Sequence, residues 1–295
     1  MRLYKTTISP ESNFATSLKG DTLFGQMCWS IVHSFTEERL KELLKDYKDS
    51  PFLVVSDGFV SGYLPKPKMP SLLLGEDSQD KKLNRKKVWL TLKQLKAGDF
   101  TDALSDEDIK NRDTSTITMH NSINYKTFKT SDDGSFAPYG DNEFSFGKKD
   151  IYFLLDSLQF SLEDLKKSFE QLSLSGYGKD TTIGKGRFTF DDFEEIEIDN
   201  SSKTFMTLSP ISAKGLECQD IYYEPFTRFG KFGGGRAFKN AFKKPILLAD
   251  SASIVHFEEK QNLQFIGSAI TNVSDAHKDA VHQGYSIVVP IKELS

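Results

Sequence analysis

SLEDLKKSFEQLSLSGYGKDTTIGKGRFTF, residues 161–190, reads as a helix, a glycine-rich loop and the start of a strand. Ser161 with Asp164 three positions on resembles a capping box, and Leu162, Leu165, Phe169 and Leu172 recur at helical spacing. A helix therefore starts after Ser161 and must end before Gly176. The loop 176–188 sets Gly176, Gly178, Gly184 and Gly186 around Tyr177 and among Lys179, Lys185 and Arg187. Glycine reaches positive φ and lets backbone amides converge on an anion, which the cations then neutralise. A Walker A reading fails, because five residues separate Gly178 from Gly184 and Lys185 is followed by Gly186 in place of Ser or Thr. A flexible turn is the simpler alternative, but it needs fewer glycines and no cations. Residues 187–198 continue as a strand.

Outward from this unit, residues 151–155 form a short apolar run suited to a buried strand. Near the start, residues 2–8 read as a strand, and Asp21 stands where a helix N-cap belongs. Leu23, Phe24, Met27, Cys28, Ile31, Val32 and Phe35 follow as one apolar stripe. A second helix over 37–47 carries Leu40, Leu43, Leu44 and Tyr47, and Pro51 closes it before a strand at 52–60. Between these units, residues 65–147 change character. Prolines punctuate the entry, 81–87 holds five basic residues in seven, and 105–113 is acidic with little core. The segment reads as an insertion outside the core, with a β-rich piece at 115–128 and a turn at 131–135 forming a projecting hairpin.

The order β-α-β, insertion, β-α-β is that of a ferredoxin-like (RRM-like) unit. Beyond residue 200 the chain shows strand-like runs at 204–211, 220–226, 246–248, 254–257, 265–272 and 285–291 with little helical periodicity. The expectation is an α+β protein of two domains, a ferredoxin-like one, 1–200, with the projecting hairpin and a second, helix-poor α+β one, 201–295.

The 295 residues carry a net charge of −4, so any nucleic-acid contact must be local. Two distant cysteines, Cys28 and Cys218, suggest neither a disulfide framework nor a zinc site. The N-terminus lacks the apolar core of a signal peptide and no stretch is long enough to span a membrane, so a cytoplasmic protein is expected.

Two further stretches are candidate contacts. Residues 19–25, KGDTLFG, open a helix whose free amides, with Lys19, Gly20 and Thr22, suit an anion, although Asp21 could itself cap them. Residues 226–244, FTRFGKFGGGRAFKNAFKK, hold six basic residues and five phenylalanines without an acidic one. Cations that track phosphates and rings that stack on bases suit single-stranded RNA, and Arg228, Lys231, Gly234 and above all Arg236 are the candidates; a basic loop pinned by its phenylalanines is the alternative. Residues 191–199 have six acidic residues in nine and face solvent or a basic partner. Of the five histidines, His120 is the first candidate for acid-base chemistry, and no metal-binding spacing accompanies any of them.

The pattern G-x-G-x5-G-x-G-x-aromatic after the second helix resembles the glycine-rich loop of the RAMP superfamily of CRISPR proteins. Residues 19–25 resemble its helix-opening motif, His120-Asn121-Ser122-Ile123-Asn124 its insertion hairpin, and His282-Gln283-Gly284-Tyr285 before 287–291 its closing strand. In order and spacing the chain is similar to the type III-A Csm-complex subunit that caps the 5′ end of the guide RNA. Lys19, Tyr125 and the lysine-rich insertion depart from the pattern. The resemblance implies two ferredoxin-like domains and a non-catalytic subunit that grips the 5′ handle of crRNA. It also implies contact with the large polymerase-like subunit and an adjacent RAMP backbone subunit, and no cofactor. His120 and Asn121 join the RNA contacts on the same ground. The competing expectations are a metal-independent endoribonuclease acting on precursor crRNA through His120 and a small-molecule phosphate binder; the latter lacks a magnesium-binding residue at motif spacing.

Overall fold

The computed structural model describes every residue except 77, 112, 131–135, 234–237, 239 and 294–295. Strand β1 (Arg2–Pro10) leads to α1 (Gly20–Ser34), α2 (Glu37–Lys45), β2 (Leu53–Val55) and β3 (Phe59–Val60). Thr36 caps α2 by accepting the Arg39 amide at 3.1 Å. Asp21 does not cap α1. Lys19 holds the N-cap position without a side-chain hydrogen bond, and Asp21 lies in the first turn. The strand expected over 52–60 is split, because residues 56–58 turn inward and bring Asp57 to the start of α1.

The segment that follows is two structures. Strands β4 (Leu64–Pro65), β5 (Lys87–Leu90) and β6 (Leu104–Ser105) make a small antiparallel sheet with α3 (Lys81–Lys86) and α4 (Leu92–Ala97) between them. Thr91 and Gln94 form a capping box on α4, and Gly98 ends it at φ 80°. Leu90, Leu95, Phe100 and Ala103 are buried in the main core, so this part of the insertion packs into it. The hairpin pairs β7 (Thr114–His120) with β8 (Tyr139–Ser145) in register from Thr114↔Ser145 to His120↔Tyr139. Its expected turn at 131–135 lies outside the described residues.

Strand β9 (Lys149–Leu155), α5 (Leu162–Ser175), β10 (Phe188–Phe190) and β11 (Glu194–Glu195) complete the first half. The sheet runs β10-β1-β9-β2, all antiparallel, with β11 on β1 and β3 on β9. Ser161 accepts the Asp164 amide at 3.1 Å, so α5 starts where its cap places it. The strand expected at 187–198 appears only as β10 and β11, with residues 191–193 outside the ladder between them and Glu194–Glu195 paired with Lys5 and Tyr4 of β1.

The second half contributes β12 (Ser201–Thr207), β13 (Asp220–Tyr222), β14 (Pro225–Arg228), β15 (Ile246–Ala249), β16 (Ile254–Asn262), β17 (Phe265–Gly267) and β18 (Tyr285–Pro290). Five of these form an antiparallel sheet in the order β13-β16-β12-β18-β17, while β14 pairs with β15. No α-helix occurs among its described residues. The protein is thus α+β with antiparallel sheets.

One apolar cluster joins the halves, from Leu3, Phe24 and Phe153 to Met206, Ile254 and Ile287. Its wholly buried phenylalanines, Phe14, Phe24, Phe52, Phe153, Phe160 and Phe169 among them, each contribute about 1.5–3 kcal/mol through removal from water. Gln283 stitches the seam: its side chain accepts from the Val55 amide at 2.9 Å and donates to the Val55 carbonyl at 2.8 Å, taking the place of a neighbouring strand.

Candidate nucleic-acid interface

The glycine-rich loop is folded tightly onto residues 11–17. Gly176, Gly178, Gly184 and Gly186 all have φ between 77° and 90°, which is why glycine occupies each. At Gly186 a Cβ would stand 2.1 Å from the Tyr177 carbonyl oxygen. The Tyr177 amide donates to the Gly186 carbonyl, the Gly186 amide to that of Asn13, the Lys179 amide to Thr16 Oγ1 and the Arg187 amide to Ser12 Oγ. Most of the expected cradle is therefore spent inside the protein. The amides of Gly178, Asp180, Thr181 and Thr182 meet no acceptor among the described residues, so they are the donors the loop still offers.

The hairpin supplies carboxylates to this loop. Asp141 on β8 binds Lys179 at 2.6 Å, and Glu143 lies 3.4 Å from Lys185 while accepting from Thr118 at 2.5 Å and Asn13 at 3.1 Å. The hydrogen bond from Lys179 holds Asp141 below the ordinary carboxylate range and raises Lys179. Arg187 is exposed and makes no ion pair with a described residue. His120 stacks on Tyr139 at 5.5 Å with its Nε2 shielded from solvent and unbonded, and Asn121 is exposed at the end of β7.

Several expected contacts prove to be internal. Tyr177 is wholly buried and its hydroxyl donates to the Ser17 carbonyl at 2.7 Å, so it packs the loop and offers no face to a base. Gly176 and Gly186 are likewise buried. At α1 the protein provides its own anion: the Gly20 amide donates to Asp57 at 2.7 Å, and a Cβ on Gly20 would lie 2.4 Å from the Val55 carbonyl oxygen. Lys19 is held between Asp57 at 3.0 Å and Asp250 at 2.6 Å, while Lys68 bridges Asp250 at 2.7 Å to Glu224 at 2.9 Å. Burial works against the Lys19 charge, but the two carboxylates outweigh it and raise its pKa; burial likewise raises Asp57. Thr22 is half-buried with its amide bonded to the Lys19 carbonyl.

Arg228 is the second internal cation. Its guanidinium grips Asp21 through two bonds of 2.6 Å, and His282 Nε2 lies 3.2 Å from the same carboxylate, off the angle of a hydrogen bond. Burial would raise Asp21, yet its contacts with His282 and Arg228 drive it well below the ordinary range. Lys19, Gly20, Tyr177 and Arg228, candidate contacts in the sequence reading, thus all have partners within the protein. Their partners lie far along the chain, and only chain folding reveals them.

Past β14, Lys231 stands opposite Phe242 and the Phe232 amide is bonded to the Ala241 carbonyl. Lys231 lies 5.5 Å from the Phe242 ring centroid, and Phe229, Phe238 and Phe242 are exposed. Gly234 and Arg236 lie outside the described residues. Among the described residues no group of His, Cys, Asp and Glu is placed to hold a metal ion, and no helix is long and apolar enough to cross a membrane.

Neither a protein-family model nor a curated protein matches the sequence. Solved structures do. A chain of the Csm1–Csm4 cassette in complex with AMPPNP superposes with a TM-score of 0.63 at 16% identity, covering 100% of both chains. A chain of the Csm3–Csm4 subcomplex of the type III-A CRISPR–Cas interference complex gives a TM-score of 0.60 at 14% identity, covering 98% of this chain and 99% of the other. Csm4 is common to both. The fold of this chain is the one shared with those chains. The glycine loop, the β7–β8 hairpin, and Lys231 with Phe229, Phe238 and Phe242 combine exposed cations, open amides and exposed rings.

Proposed function

We propose that this protein is a non-catalytic, RNA-binding subunit of a type III-A CRISPR effector complex, gripping the 5′ handle of crRNA. The observation that carries the reading is whole-length likeness to chains of two Csm subcomplexes, joined to a glycine loop with four open amides beside exposed Lys179 and Arg187. The neighbours assemble with a Csm1 and with a Csm3 protein, which supports contact here with a large subunit and a RAMP backbone subunit. The strand order β10-β1-β9-β2, with helices after β1 and β9, supports the reading of residues 1–200 as a ferredoxin-like domain bearing a projecting hairpin. The second sheet, 201–295, is read as its helix-poor companion.

Phosphates would be met by the amides of Gly178, Asp180, Thr181 and Thr182 and by Lys179 and Arg187, with Gly184 shaping the loop. Lys185 turns toward RNA only if Glu143 releases it. Lys231 and the neighbouring phenylalanines offer a second contact by charge and stacking. His120 and Asn121 position the hairpin end. Shielding of His120 Nε2 favours the non-catalytic reading over an endoribonuclease, since a general base must reach the proton it removes.

The test is binding and cleavage of labelled repeat RNA. The double variant K179A/R187A should lose its preference for handle RNA over unrelated RNA, and wild type should leave the RNA intact. Undiminished handle preference in the variant refutes the loop assignment. Site-specific cleavage abolished by H120A refutes the non-catalytic one.

A further inference from the structure

The cations singled out by motif are mostly neutralised by carboxylates, whereas those on α3 are not. Lys81, Lys82, Arg85 and Lys86 are all exposed, and none of their side chains has an ion pair or hydrogen bond among the described residues. At 100° per residue they cover one side of the helix, with Leu83 and Asn84 on the other. Their arrangement is unfavourable in isolation. Lys81–Arg85 and Lys82–Lys86 are like-charge pairs at i,i+4, and Lys81 and Lys82 stand at the positive end of the helix dipole with no acidic residue in the first turn. Asp80 just precedes the helix and is exposed. The scaffold nonetheless holds α3 in place: Lys66 Nζ donates to the Asn84 carbonyl at 2.7 Å and pairs with Glu76 at 2.7 Å, and β5 continues directly from the helix.

We infer that α3 is a separate contact for the phosphate backbone of RNA, independent of base sequence. A polyanion relieves the repulsion that the protein leaves uncompensated. Lysine is depleted at protein–protein interfaces, and the patch has no buried aromatic anchor, so a phosphate chain suits it better than an acidic protein. The inference goes beyond the glycine-loop reading and does not require it.

The test is fluorescence anisotropy of the full chain with a labelled oligouridylate across a salt series, comparing wild type with K81Q/K82Q/R85Q/K86Q. Single-stranded contacts each contribute about 0.7 to the slope of log affinity against log salt, so the variant should lose up to about 3 from that slope. Affinity should fall at least about tenfold near physiological salt, while the melting temperature stays level or rises as the repulsion disappears. Unchanged slope and affinity overturn the inference. So does polyglutamate competing as well as RNA of equal charge, which assigns the patch to an acidic protein. K179A/R187A, run in parallel with handle RNA, separates the two readings: it should lose the preference for handle over unrelated RNA, whereas K81Q/K82Q/R85Q/K86Q should keep that preference.

Discussion

Replacing Asp21 with Asn removes a charge that Arg228 holds through two 2.6 Å bonds and that His282 approaches at 3.2 Å. The Asp21 side chain has no exposure and that of Arg228 only 19%, so the orphaned guanidinium cannot recover its hydration. Breaking a buried pair from one side costs about 3–5 kcal/mol. At the lower end of the usual relation between free energy and melting temperature, about 2 °C per kcal/mol, D21N should melt roughly 6–10 °C below wild type. R228M should also destabilise, and D21N/R228M should lose less than the sum, with a coupling of about 1–3 kcal/mol. The pH dependence has a definite sign. Because folding depresses the Asp21 pKa, its contribution is complete above the unfolded carboxylate value of about 4 and is lost as pH falls toward the folded value. The gap between wild type and D21N should therefore narrow only in acid. Differential scanning fluorimetry and urea titration measure all of these. A loss below about 1 kcal/mol, or strict additivity in the double variant, would refute the assignment of Arg228 to the fold.

Three other outcomes follow from the same geometry. G186A, which forces φ 77° on alanine and sets its Cβ 2.1 Å from the Tyr177 carbonyl, should unfold the loop, whereas G184A, at φ 90° in open space, should cost only about 1–2 kcal/mol; thermal melts compare them. D141N should free Lys179 and raise affinity for handle RNA several-fold in anisotropy titrations, with the gain absent in D141N/K179A. Q283L should leave both polar groups of Val55 buried and unpaired, costing about 2–5 kcal/mol in urea unfolding.

Local order was legible in the sequence. Ser161, the apolar stripe of α5 and the glycine that ends it depend on neighbours a few positions away, and helix, loop and strand appear where those signals place them. The function of individual cations was not. Lys19 meets Asp250 across 231 positions and Arg228 meets Asp21 across 207, so free and cancelled charge look identical along the chain. The same distance hid the amides: Ser12, Asn13 and Thr16 consume donors of a loop more than 160 residues away. The lysines of α3 stood out by composition alone, but only their exposure and lack of side-chain partners among the described residues made them a candidate surface.

Ultraviolet crosslinking of the chain in its assembled complex, followed by mass spectrometry of the RNA-linked peptides, bears most directly on the proposed role. Handle nucleotides should attach to the peptide containing residues 178–187. Crosslinks confined to other surfaces, or a complex whose handle reaches no part of this chain, would contradict the account.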